Sequence, residues 1–82
     1  MVNISATIYK GNYMNWHEKI KMIRKKLGLT QIAMAEALGV KQSCISQYES
    51  GHAYPYSHSR KKYIELARQV KIPLRLEELL RE

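Results

Sequence analysis

Three glycines, Gly28, Gly39 and Gly51, cut residues 15–51 into three pieces, each long enough for a short helix and little else. Glycine is a natural stop at a helix C-terminus, and each of the first two stops has a matching start. Asn15 followed by Glu18 is a capping-box-like opening, with Asn in place of Ser or Thr. Thr30 is a good N-cap for the second piece. Trp16, Ile20, Ile23 and Leu27 recur at helical spacing along the first piece, with Lys19, Lys21, Lys25 and Lys26 on or beside its wet face. The third piece runs from about Gln42 to Ser50. Helices this short are stable only when packed across one another.

Residues 51–59 hold His52, Tyr54, Pro55, Tyr56 and His58 and read as a loop. A fourth helix, begun near Ser57 or Ser59, puts Tyr63, Leu66, Ala67 and Val70 on one side. Pro73 cannot lie inside a helix, so it separates this one from a short last helix carrying Leu76, Leu79 and Leu80. At the other end, residues 2–8 alternate apolar and polar, the period of a half-buried strand, until Gly11-Asn12 breaks it. A lone strand is not stable, so it pairs with something or stays a mobile arm. The expected fold is all-α, with residues 1–14 an arm or short β-strand and residues 15–82 the domain.

With 82 residues there is room for one domain and one modest core. No apolar run approaches the roughly 18–20 residues that span a bilayer. No charged, apolar, small-residue order marks a secretory signal. Cys44 is the single cysteine, which rules out an intrachain disulfide and fits a reducing compartment. A cytoplasmic location is the expectation.

Charge narrows the function. Fourteen Lys and Arg against seven Glu and no Asp give +7. Residues 1–62 carry ten of the cations and three of the glutamates, whereas residues 63–82 carry four of each. A surplus confined to one part of the chain suits a polyanion-binding face, because neutralised phosphates release counterions. A surface charged for solubility accounts for the total equally well.

Two short helices joined by a tight glycine turn fill residues 30–51 and have what a helix-turn-helix needs. Ala35 is small where the helices touch, and Gly39 relaxes the corner. Met34, Leu38, Val40 and Ile45 anchor both helices. The outer face of the third helix offers Gln42, Ser43, Ser46 and Gln47, short polar side chains able to hydrogen-bond base edges. A glutamine amide both donates and accepts, which suits adenine. The run Arg60-Lys61-Lys62 opens the fourth helix, where cations oppose the helix dipole. A phosphate clamp accounts for it, as does a solvated face.

The series Leu27-Gly28-Leu29-Thr30-Gln31, Ala35, Leu38-Gly39-Val40 and Ile45-Ser46-x-Tyr48-Glu49-x-Gly51 resembles the xenobiotic-response-element type helix-turn-helix family, which includes the phage Cro and lambda-type repressors. The resemblance extends over about residues 16–72. It implies a five-helix, lambda-repressor-like domain that binds double-stranded DNA as a dimer, with the third helix in the major groove. By the same resemblance Gln31 is a phosphate-binding residue; the clamp reading of Arg60, Lys61 and Lys62 rests instead on their place directly after the third helix and its loop. Gln42, Ser43 and Gln47 occupy base-reading positions, with Lys41 and Ser46 beside them. Arg24 and Glu49 match a salt bridge between helices one and three.

The chain departs from the family pattern in three places. Lys41 stands where Ser or Thr usually caps the third helix, which weakens the cap and frees Lys41 to reach DNA. Lys71 replaces a common glycine after helix four. The stretch Ile72-Pro73-Leu74-Arg75-Leu76 is longer than usual.

No catalytic set, Gly-rich phosphate loop or cofactor motif is visible, so an enzyme is not expected. His17, His52, His58 and Cys44 lack metal-ligand spacing, and Cys44 reads as a small packing residue. The sequence therefore points to a phage or prokaryotic transcriptional regulator, of Cro or repressor type, binding a pseudo-palindromic operator as a homodimer. The alternative is an antitoxin that neutralises a toxin protein and regulates its own operon, with residues 2–8 adding to the toxin's sheet edge. The dimer contact is expected either from those residues or from helices four and five.

Overall fold

The computed structural model describes residues 14–80; the strand expected at residues 2–8 lies outside them. Four α-helices follow in order: α1 (Trp16–Lys26), α2 (Gln31–Leu38), α3 (Gln42–Ser50) and α4 (Ser57–Val70). A single 3-10 turn, Leu76–Leu79, stands where a fifth helix was expected. Four residues between Arg75 and Leu80, both extended, leave no room for a longer helix.

Local chemistry sets the starts. The Asn15 side chain accepts from the Glu18 backbone N–H at 3.1 Å, and Glu18 accepts from the Asn15 N–H at 3.2 Å. This reciprocal box satisfies two of the free donors at the start of α1. Thr30 accepts from the Ala33 N–H at 3.0 Å and does the same for α2. The starts of α3 and α4 have no side-chain cap, and at α3 the uncapped residue is Lys41, as its identity implied.

Gly39 ends α2 in the left-handed region (φ 71°), and the Val40 N–H closes back onto the Ala35 carbonyl at 3.0 Å. Gly51 does the same for α3 (φ 82°) and has a second constraint. A Cβ there would lie 2.8 Å from Cδ2 of His17. Lys71 ends α4 at φ 61° without being glycine, a conformation that costs an L residue roughly 1 kcal/mol. The turn is held by the Ile72 N–H donating to the Ala67 carbonyl at 3.0 Å.

The core gathers one stripe from each helix: Ile20 and Ile23, then Met34, Ala35 and Leu38, then Ile45 and Tyr48, then Tyr63 and Ala67, closed by Ile72 and Leu79. Trp16, Leu27, Val40, Cys44, Leu66 and Val70 pack against it partly buried. Helix α3 packs on both α1 and α2, α4 packs on α1, and the 3-10 turn lies on α4. One placement differs from expectation. Lys19, assigned to the wet face, is buried because the chain beyond Pro73 folds back over it, and its Nζ lies 2.9 Å from Glu78 Oε1. No helix among the described residues is long and apolar enough to cross a membrane.

Candidate nucleic-acid interface

Helix α3 divides cleanly into two faces. Ile45, Tyr48 and Glu49 are buried, while Lys41, Gln42, Ser43, Ser46 and Gln47 are exposed. With 3.6 residues per turn, positions 42, 43, 46 and 47 form one continuous strip. All five residues expected to read bases thus lie on the solvent side of a helix whose other side is locked into the core. Cys44 sits between the faces, partly buried.

The buried face carries a charged anchor. Arg24 Nε donates to Glu49 Oε2 at 2.6 Å, and Nη2 donates to Oε1 at 3.1 Å. A third guanidinium hydrogen bond, from Nη1 to the Leu29 carbonyl at 2.8 Å, fixes the turn between α1 and α2. The two side chains are only 11% and 4% exposed, so this pair is largely withdrawn from solvent. The hydrogen bond to Glu49 pushes the Arg24 pKa up from its ordinary value, against the opposing effect of burial.

The anchor continues outward. Gln31 Nε2 donates to Glu49 Oε1 at 3.2 Å, and Gln42 Nε2 donates to Gln31 Oε1 at 3.4 Å. Four residues from three helices thus make one chain of hydrogen bonds running from the interior to the exposed start of α3. The sequence pattern pairs Arg24 with Glu49, but it does not link Gln31 and Gln42 to that pair. The join depends on how closely the starts of α2 and α3 approach, which spacing alone does not reveal.

The loop and the start of α4 are held by different means. Tyr54 stacks on Trp16, ring centroids 4.8 Å apart, and Tyr56 lies edge-on to Tyr48 and stacks near His58. Ser50 Oγ is 2.6 Å from His52 Nδ1 just beyond α3. Of the three expected clamp residues, Arg60 is half-buried and donates to the Pro55 carbonyl at 3.0 Å. That contact ties it to the loop. Lys61 and Lys62 are exposed, the latter 3.9 Å from Glu65 on the next turn. Among the described residues, no three His, Cys, Asp or Glu side chains gather as a metal site.

This geometry agrees with what the chain resembles among known proteins. Residues 20–55 match the family model described as helix-turn-helix, which is the Cro and lambda-repressor type. The matched segment is similar to that helix-turn-helix family. A transcriptional activator of the helix-turn-helix type, BcrR of Enterococcus faecalis, is 42% identical over 48 residues. The match takes in 58% of this chain but 24% of the relative, so the chain spans about a quarter of that protein's length. No solved structure matches significantly.

Proposed function

We propose that the chain is a transcriptional regulator that binds double-stranded DNA at specific sequences, with α3 lying in the major groove. The observation that carries this reading is the strip formed by Gln42, Ser43, Ser46 and Gln47, exposed on a helix anchored from behind by Glu49. Short polar side chains held by a rigid scaffold can read base edges without first losing much conformational freedom. Gln42 and Gln47 have the donor and acceptor that an adenine needs, Ser43 and Ser46 bond either kind of group, and Lys41 adds a cation at the rim. The exposed Lys61 and Lys62 bind phosphates and set the register, and Gln31 adds the second N–H of its amide, the first being engaged by Glu49. In this reading Arg60 acts indirectly, by holding the loop that precedes α4.

The protein binds as a homodimer to a pseudo-palindromic operator, since a two-fold site doubles the readout that one short helix provides. The BcrR relative is named an activator; this chain regulates with either sign, according to where its operator lies.

Selection from random duplexes followed by sequencing tests the proposal directly. On the selected site, Gln42→Ala and Gln47→Ala should each weaken binding by roughly 1–3 kcal/mol and leave binding to random duplex nearly unchanged. Lys61→Ala and Lys62→Ala should weaken both alike and flatten the log-affinity against log-salt slope by about one unit each. Equal losses on both DNAs for the glutamine variants, or no enrichment at all, would refute the reading.

A further inference from the structure

The hydrogen bonds linking Arg24, Glu49, Gln31 and Gln42 have a direction as well as a position. We propose that Glu49 is a positioning residue for base readout, fixing the amide polarity of Gln31 and, through it, the face that Gln42 turns to DNA. The inference rests on Gln42 reading a base, as proposed above.

A carboxylate only accepts hydrogen bonds, and a guanidinium only donates them. Arg24 takes Oε2 and part of Oε1 of Glu49, and its third bond to the Leu29 carbonyl holds it in place. What Glu49 has left, on Oε1, is an acceptor facing Gln31 at 3.2 Å. Gln31 must therefore point its amide nitrogen inward and its oxygen outward. That oxygen accepts from Gln42 Nε2 at 3.4 Å. One N–H of Gln42 is thereby occupied, and the side chain keeps one N–H and its own oxygen for the groove.

One donor beside one acceptor is what complements N7 and N6 of adenine. The reversed amide has the opposite consequence. If Gln31 pointed its nitrogen outward, Gln42 would turn its oxygen to it and offer two donors, which suit O6 and N7 of guanine. Gln31 and Gln42 are symmetric enough in shape to adopt either arrangement. The buried carboxylate breaks the tie, so a residue that reaches no base selects which base is read.

The test uses the full chain and two variants, each also made in a Gln42→Ala background. Glu49→Gln leaves the size of the side chain but can donate as well as accept. Gln31→Leu cuts the relay while leaving the Arg24–Glu49 pair whole, and it carries the test if Glu49→Gln does not fold. The readout is the ratio of dissociation constants for the selected duplex and for the same duplex with G·C replacing A·T at the position whose preference Gln42→Ala abolishes. A merely structural loss weakens both duplexes alike and leaves that ratio unmoved. Both variants should erode the preference for adenine by about tenfold, and neither should change it further once Gln42 is alanine. If both keep the full preference while Gln42→Ala loses it, the relay is refuted and the base-reading role of Gln42 stands. If Gln42→Ala alters no base preference at any position, that role falls and takes the relay with it.

Discussion

Helix α1 is fastened at two places by an ion pair, Lys19 with Glu78 and Arg24 with Glu49; the two cations are equally buried, and the pairs differ in the carboxylate and in the contacts each cation makes. Lys19 makes one contact, at 2.9 Å, with a carboxylate that is 23% exposed. Arg24 makes two contacts with a carboxylate only 4% exposed, a third with a backbone carbonyl, and shares its partner with Gln31. A point charge on a flexible stem suits the first place, and a planar fork suits the second. The first pair fastens the C-terminal turn over the core. The second sets α3 and reaches its exposed end. Two ion pairs on one helix therefore differ in what they position, and they should differ in energetic weight.

Removing one partner from each pair tests this difference most severely. Glu49→Ala leaves a guanidinium largely buried and uncompensated, and should cost about 3–5 kcal/mol of folding stability. Chemical denaturation read by circular dichroism measures it. A loss of about 1 kcal/mol or less would put the Arg24–Glu49 pair in the class of surface bridges, and the contrast with Lys19–Glu78 would disappear.

Tyr63 sharpens the contrast from inside the core. Burial pushes its hydroxyl pKa well above the ordinary value, and the nearby charge of Glu49 adds to the effect while that of Arg24 opposes it. Yet the hydroxyl has no hydrogen-bond partner among the described residues. A buried hydroxyl left unmade is a liability of about 1–3 kcal/mol, so Tyr63→Phe should be neutral or stabilise the fold by about 1 kcal/mol. Thermal melting gives the sign. Destabilisation would mean that the hydroxyl helps to seat the Arg24–Glu49 pair.

The two pairs also show what a sequence can and cannot disclose. The helix starts at Asn15–Glu18 and at Thr30 were legible because both partners lie within one turn of each other. Gly39 and Gly51 marked the stops for the same reason. Arg24 and Glu49 are 25 residues apart, and only the family pattern suggested that they meet. Nothing suggested Lys19 and Glu78, separated by 59 residues, because that contact depends on how the chain turns after Pro73. Lysine on a helix reads as solvated, and here it is not. Similarly, Arg60-Lys61-Lys62 read as one cationic run, but the loop before α4 brings the Pro55 carbonyl to Arg60 and splits it. The exposed strip of α3 was legible throughout, since helical periodicity alone assigns its faces. The hydrogen bond joining Gln31 to Gln42 was not, since it follows from helix packing.

The smallest expected effect concerns Glu78, and its pH dependence separates charge from packing. Burial pushes the Glu78 pKa up, but the Arg75 backbone N–H and the Lys19 ammonium pull harder, and the net direction is below the ordinary value of 4.5. A carboxylate whose pKa is lowered on folding adds stability above its unfolded pKa. That contribution fades as pH falls through the folded value. Glu78→Gln should therefore cost at most about 1 kcal/mol at neutral pH, the range of a partly exposed pair. The difference from the parent chain should hold down to about pH 4.5 and fade at lower pH as the parent carboxylate is protonated too. Denaturant titrations at a series of pH values give the curve. If the difference is the same at every pH, Glu78 holds the turn by packing rather than by charge, and Lys19–Glu78 is then only a contact that happens to be ionic. If it instead grows toward 3–5 kcal/mol at neutral pH, this pair is as withdrawn from solvent as Arg24–Glu49 and both places on α1 are anchored alike.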